Sequence, residues 1–252
     1  MGGWEIVAIL AAATGAGAIN AVVGSGSLIT FPTLLAFGFA PVVANVSNNV
    51  GLVPGNVSGA FGYREELTGQ RGRLIRLGIA SGTGAIAGAC ALLALPPGVF
   101  KVVVPALIIV ACVLVVLQPR LSAWVAARGK EHAEHGGPVL FAGVFLAAVY
   151  GGYFGAAQGV LVIGLLGIFL NESLQRVNAG KNVLVTIVNG AAAAVFLIFA
   201  HLNWLVVLLI AVGSSAGGLI GAKVGRRLPP LVLRIIIVVI GLIAAVKLIF
   251  FP

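Results

Sequence analysis

An all-α, polytopic membrane fold follows from three features of this sequence: an excess of apolar residues, their division into runs of membrane-spanning length, and a register that repeats between the two halves of the chain. Hydrophobic residues make up 60% of the chain and charged residues 8%, against roughly 25% charged in a soluble domain. Mean hydropathy is +1.17. A soluble fold of 252 residues cannot hide that much apolar surface, and the apolar runs recur with polar breaks too short for a separate soluble domain.

A spanning helix needs about 20 apolar residues, and that ruler marks 4–23, 42–63, 74–95, 99–117, 139–154, 174–200, 204–224 and 231–251, about eight spans. The first run has no Lys or Arg ahead of it and continues beyond a signal-peptide core of about 7–15 residues, so it reads as a retained span. Two further apolar segments, 27–39 and 160–170, are too short to cross and predict re-entrant or broken helices. The polar stretch 118–138 separates residues 1–117 from 139–252 and reads as a cytoplasmic linker between two halves of one membrane domain. His132 and His135 in that linker have a metal-compatible spacing, but an exposed charged linker explains them better. Cys90 and Cys112 fall in apolar runs, where cysteine acts as a small buried hydrophobe. No cofactor is implied.

The repeat is explicit. An offset of 133 pairs Gly159 with Gly26, Leu161 with Leu28, Asn178 with Asn45, Asn182 with Asn49 and Asn189 with Asn56. Without a gap it then pairs Ser214 with Ser81, Gly217 with Gly84, Gly221 with Gly88, and the Leu-Pro-Pro at 228–230 with that at 95–97. Each half is therefore the same unit of about four spans plus a short segment.

Loop charges orient the halves. Arg64, Arg71, Arg73 and Arg76 place the loop after the second span in the cytoplasm, whereas its counterpart around His201 to Asn203 has no Lys or Arg. Conversely, 95–100 is uncharged while its partner region holds Arg226, Arg227 and Arg234. Equivalent loops face opposite sides, the pattern of an inverted-topology repeat with a midplane site between the halves. Both termini are then outside a cytoplasmic membrane of bacterial type, the linker with Arg120, Arg128 and Lys130 is inside, and the short segments are re-entrant. The net charge of +9 lies mostly in such loops, so it speaks for topology and not for a nucleic-acid partner.

Three sets of residues carry chemistry. Gly24, Ser25, Gly26 and Ser27, with Gln158 and Gly159 at the equivalent place, permit a helix break and a close backbone approach, after which a half-helix would point its N–H groups at an anion; small-residue helix packing is the plain alternative. Asn45, Asn48, Asn49 and Asn56, with Asn178, Asn182 and Asn189, form amide stripes whose donors suit an oxyanion, or serve as interhelical hydrogen bonds. Lys181 stands inside an apolar run, where a cation marks function unless it snorkels to the interface. All six acidic residues are glutamates, Glu5, Glu65, Glu66, Glu131, Glu134 and Glu172, and none sits deep in a predicted span. The intramembrane polar set is donor-rich and cationic, and the expected partners are a small anion and the lipid bilayer, with a second copy of the chain as a further candidate.

The run GAGAINAVVGSGSLITFP from Gly15 to Pro32, the PVVAN step from Pro41 to Asn45 and NAGKNVLV from Asn178 to Val185 closely resemble the TauE/SafE-type sulfite exporter family of bacterial membrane proteins, also called TSUP. The resemblance covers nearly the whole chain, including its duplicated plan. It implies transport of sulfite, a sulfonate or a related organosulfur anion along a path lined by the glycine-rich breaks. The chain departs from relatives at Gly24 to Ser27, where a longer glycine run is common. Two rival readings are a membrane accessory or assembly protein and, more remotely, an intramembrane serine hydrolase pairing Ser25 or Ser27 with His201; no nucleophile motif surrounds either serine.

Overall fold

The computed structural model describes residues 1–127 and 137–224, together with 235, 238–243 and 245–246. The expected span 231–251, apart from those last positions, lies outside the described residues, as do His132, His135, Arg128, Lys130, Glu131, Glu134, Arg226, Arg227, Arg234 and the second Leu-Pro-Pro.

Regular structure among the described residues is helical: α1 (Gly3–Val22), α2 (Ser27–Ala36), α3 (Pro41–Gly62), α4 (Arg71–Ala94), α5 (Pro97–Ala127), α6 (Gly137–Tyr153), α7 (Gln158–Phe169), α8 (Leu174–Phe199) and α9 (Trp204–Val224), with a 3-10 turn at Arg64–Leu67. Pro41 opens α3 at a position where its missing N–H costs nothing, and Ser173 caps α8 by accepting the N–H of Arg176. α5 runs to Ala127, ten residues further than the apolar run predicts. Leu121, Ala123, Ala126 and Ala127 are good helix formers, and their propensity carries the helix into the polar linker.

The two short helices double back. Trp4 at the start of α1 meets Phe37, just past the end of α2, edge to face with ring centroids 5.0 Å apart. α7 returns along α6 in the same way, the Leu165 side chain covering Gly143. Both short helices thus begin in the interior and end near the level where the preceding helix began.

Packing crosses the halves. α1 lies along α9 and α6 along α4, and both seams are made of small residues that let backbones touch. Gly217 faces the carbonyl of Thr14 and Gly221 that of Ala18; their repeat equivalents Gly84 and Gly88 face the carbonyls of Phe145 and Val149. α3 packs on α8 and α9. Asn49, early in α3, meets Asn189, late in α8, at 3.4 Å, and the Asn203 N–H beyond the end of α8 donates to Ser47 Oγ near the start of α3 (2.9 Å). α3 and α8 therefore run in opposite senses.

Polarity is arranged inside out. Asn45, Asn48, Asn56, Gln158, Asn178, Lys181 and Asn182 are buried, while Val102, Ile198, Phe199, Trp4 and Leu146 are exposed. Such a surface is stable against lipid, not water. Gly3–Val22, Arg71–Ala94, Gly98–Leu117, Leu174–Phe199 and Trp204–Lys223 are long and apolar enough to cross a membrane. α3 has 22 residues but carries the first asparagine stripe, which lowers its hydropathy, and α6 has 17.

Candidate functional site

The site grows from two chain breaks. After α1, Gly24 takes φ +83°, and before α7, Gly155 and Ala157 take φ +78° and +55°. Left-handed residues end the helical register and redirect the chain. The breaks meet at the centre: the Gly159 N–H donates to the Gly24 carbonyl at 3.1 Å, and a Cβ on either glycine would collide with the Cα of the other. The N-termini of α2 and α7 start at this junction, Ser27 being the first residue of α2 and Gln158 that of α7. Two positive dipole ends converge there.

Two donors stand beside these helix starts. Ser25 and Gln158 are equivalents under the offset of 133. They are 1% and 2% exposed, and Ser25 Oγ and Gln158 Nε2 have no hydrogen-bond partner among the described residues. The Gly26 N–H, by contrast, is taken by Asn20 Oδ1 at 2.7 Å.

The amide stripes hold the breaks in place. Asn45 Nδ2 donates to the Tyr153 carbonyl at the end of α6 (3.1 Å), and its equivalent Asn178 donates to the Ala21 carbonyl at the end of α1 (3.1 Å). Asn182 Nδ2 reaches that same carbonyl at 3.1 Å. Each half thus caps the broken helix of the other. Asn56 Oδ1 accepts from Asn20 Nδ2 at 3.0 Å, and Asn56 Nδ2, Asn48 Oδ1 and Asn49 Oδ1 are buried without partners among the described residues. The interhelical hydrogen-bond reading accounts for Asn45, Asn178 and Asn182 in this conformation.

Lys181 does not snorkel. It is 0% exposed, and its Nζ donates to the carbonyls of Asn20 (2.8 Å) and Ala21 (3.3 Å). Its aliphatic stem lies against Gly159, whose hypothetical Cβ would be 3.0 Å from Lys181 Cδ. The ammonium is closed in by the end of α1.

Sequence reasoning missed Asn20, which joins α1 to α2 and α3. The signal was present: a lone amide inside an apolar run, without an amide at its repeat position, Tyr153. It also missed a polar cluster at the start of α8. Arg73 Nη2 donates to Glu172 Oε1 and to Gln70 Oε1, each at 2.8 Å, and Arg176 Nε donates to Glu172 Oε2. Burial of the Glu172 carboxyl pushes its pKa up, but the hydrogen bonds from Arg176 and Arg73 outweigh this and hold it below the usual carboxylate value. The cluster joins the α3–α4 loop to the α7–α8 loop. His201 is exposed between α8 and α9, and no hydrogen bond joins it to Ser25 or Ser27 among the described residues.

Residues 9–248 match the family model described as sulfite exporter TauE/SafE. The chain belongs to the TauE/SafE family. This TauE/SafE chain is similar to a probable membrane transporter protein of Sinorhizobium, 23% identical over 94% of this chain and 89% of the relative. It is also similar to the probable membrane transporter protein YfcA of Escherichia coli, 21% identical over 93% and 86%. A probable membrane transporter protein of Haemophilus influenzae is 24% identical over 92% and 89%. No solved structure matches the chain. The family and the several apolar helices make this TauE/SafE protein a multi-pass membrane protein.

Proposed function

We propose that this protein moves a small oxyanion, sulfite or a sulfonate of related chemistry, across the cytoplasmic membrane, with the anion bound where α2 and α7 begin. The observation that carries the reading is the pair Ser25 and Gln158, repeat-related and buried donors without partners among the described residues, at two converging helix N-termini. A buried donor normally has a partner, and an anion among helix N-termini is a natural one. Relatives named as probable membrane transporters support the transport class.

The two halves act as an inverted repeat in this proposal. Support comes from the opposed α3 and α8, from the exchange of partners between α1 with α9 and α6 with α4, and from the Arg73–Glu172 ion pair. That ion pair requires the α3–α4 and α7–α8 loops to share a face, as they do when α7 is re-entrant and not a crossing. The arginine-rich loop supports a cytoplasmic position for this face and an outside position for the N-terminus.

The test is thermal-shift screening of the purified protein against sulfite, sulfate, thiosulfate, methanesulfonate and acetate, followed by uptake into liposomes. A ligand at 100 times its Kd stabilises the folded state by about 2.7 kcal/mol. Stabilisation and saturable uptake confined to the sulfur oxyanions are expected. Equal indifference to all five would defeat the proposal.

A further inference from the structure

We propose that Lys181 carries the coupled proton, so that each anion moves together with one H⁺ on the Lys181 amine; this rests on the anion-transport reading above and names its coupling ion. In transporters built on broken helices, the N-terminal ends of half-helices face the anionic substrate, while unwound carbonyls at helix C-terminal ends hold the coupling cation. Here the second position is filled by a side chain. Lys181 Nζ sits on the carbonyls of Asn20 and Ala21, the last turn of α1, and its stem packs against Gly159 in the first turn of α7. One residue therefore touches both the carbonyl end and the N-terminal end of the junction, within reach of changes at either.

No ion pair among the described residues neutralises it. The ion pairs Arg73–Glu172 and Arg176–Glu172 do not involve Lys181. α2, α3 and α7 contain no ionisable side chain, and Tyr63 follows the last residue of α3. α1 has Glu5, in its first turn. α4 has Arg71, Arg73 and Arg76 in its first turns and Cys90 near its end, and α6 has Tyr150 and Tyr153. Within α8 the other ionisable group is Arg176, bound to Glu172. The 3-10 turn Arg64–Leu67 holds Arg64, Glu65 and Glu66, of which Glu66 accepts Gln70 and Arg176 through its backbone carbonyl.

An isolated ammonium removed from water is costly unless an anion accompanies it or its proton leaves. The cycle follows from charge. The loaded protein holds R–NH₃⁺ with the anion nearby. On the far side the anion departs and the N–H bond breaks, its proton passing to water. The amine returns neutral and takes a proton again before the next anion. A monovalent anion and one proton have then crossed, with no net charge moved.

The decisive variant is Lys181→Arg, whose guanidinium keeps its charge throughout. The assay uses proteoliposomes at matched protein content and clamped membrane potential, with labelled sulfite and, as a permanently charged probe, labelled methanesulfonate. The wild type should show net uptake accelerated at least about tenfold by an inside-alkaline gradient, a difference of about 1.4 kcal/mol in driving force, with internal acidification beyond that of protein-free vesicles. Lys181→Arg should retain anion-for-anion exchange and lose the gradient-driven net uptake, because a permanently charged carrier cannot return empty. If arginine does not fit and the variant fails to fold, the wild-type measurement decides. Anion uptake indifferent to the pH gradient, or gradient-driven uptake intact in a folded Lys181→Arg, overturns the coupling and leaves anion transport standing. Absence of flux for both anions overturns the transport reading, and the coupling with it.

Discussion

Gly159 donates its backbone N–H to the carbonyl of Gly24 across 3.1 Å, and neither glycine leaves room for a Cβ on the other. This contact fixes the distance between the starts of α2 and α7. Alanine at either position must push two backbones apart, and overpacking of this kind costs about 1–3 kcal/mol. Gly24→Ala adds the strain of a positive φ. Gly159→Ala and Gly24→Ala should lower the melting temperature in detergent and abolish the anion response. Gly190→Ala is the control: it lies inside α8 with open space around its hypothetical Cβ, so alanine there should be neutral or stabilising by about 0.5–1 kcal/mol.

Ser25→Ala and Gln158→Met should separate binding from folding. Both side chains are buried with a donor unpartnered among the described residues, so removing the donor should leave the unliganded melting temperature unchanged or raise it. If these donors meet the anion, each variant should weaken anion-induced stabilisation by about tenfold in Kd, near 1.4 kcal/mol. Titration of both variants with sulfite, read by thermal shift, checks this. An unchanged Kd in both would remove them from the site.

The Glu172 cluster predicts an acid-sensitive link between the two loops. The folded-state pKa of Glu172 is depressed below its unfolded value, so its stabilising contribution is complete above the unfolded value and is lost as pH falls through the folded one. Glu172→Gln should therefore melt lower than wild type at pH 7, and the gap should close as pH drops below the ordinary carboxylate range. Parallel melts of both proteins from pH 7 to pH 3 give the comparison. A gap that stays constant with pH would mean that the charge of Glu172 adds nothing to the link.

Much of the fold was legible because membrane insertion imposes a coarse code of length and apolarity. The starts of α4, α8 and α9 fall within a few residues of the expected spans, and the break at Gly24 to Ser27 is where glycine permits it. The partners within the site were less legible. Sequence spacing puts Asn178, Lys181 and Asn182 on one face but not against the carbonyls of Asn20 and Ala21, because that meeting depends on how α8 crosses the end of α1 from the other half. Asn20 escaped notice for the same reason: its partners Gly26 and Asn56 come together only after α2 has doubled back.

Lys181→Met removes the charge that Lys181 places against the junction while keeping most of the side-chain volume. Two donor contacts vanish with it. The Ala21 carbonyl keeps Asn178 and Asn182 as donors, but the Asn20 carbonyl loses the ammonium, and an unpartnered buried acceptor costs about 1–3 kcal/mol. Relief from burying a cation offsets that loss, so the variant should fold with a melting temperature close to wild type. Function should respond differently. A cation in a desolvated site attracts an anion far more strongly than in water, and without it labelled sulfite uptake into proteoliposomes should fall at least about tenfold, equivalent to about 1.4 kcal/mol. Lys223 is exposed in the last turn of α9, on the face carrying the basic loops, where it serves topology. Lys223→Met at matched protein content should keep uptake within about twofold of wild type, a difference of under 1 kcal/mol. Equal uptake by the two variants would make Lys181 a structural cap for α1 and confine the anion to the uncharged donors at Ser25 and Gln158.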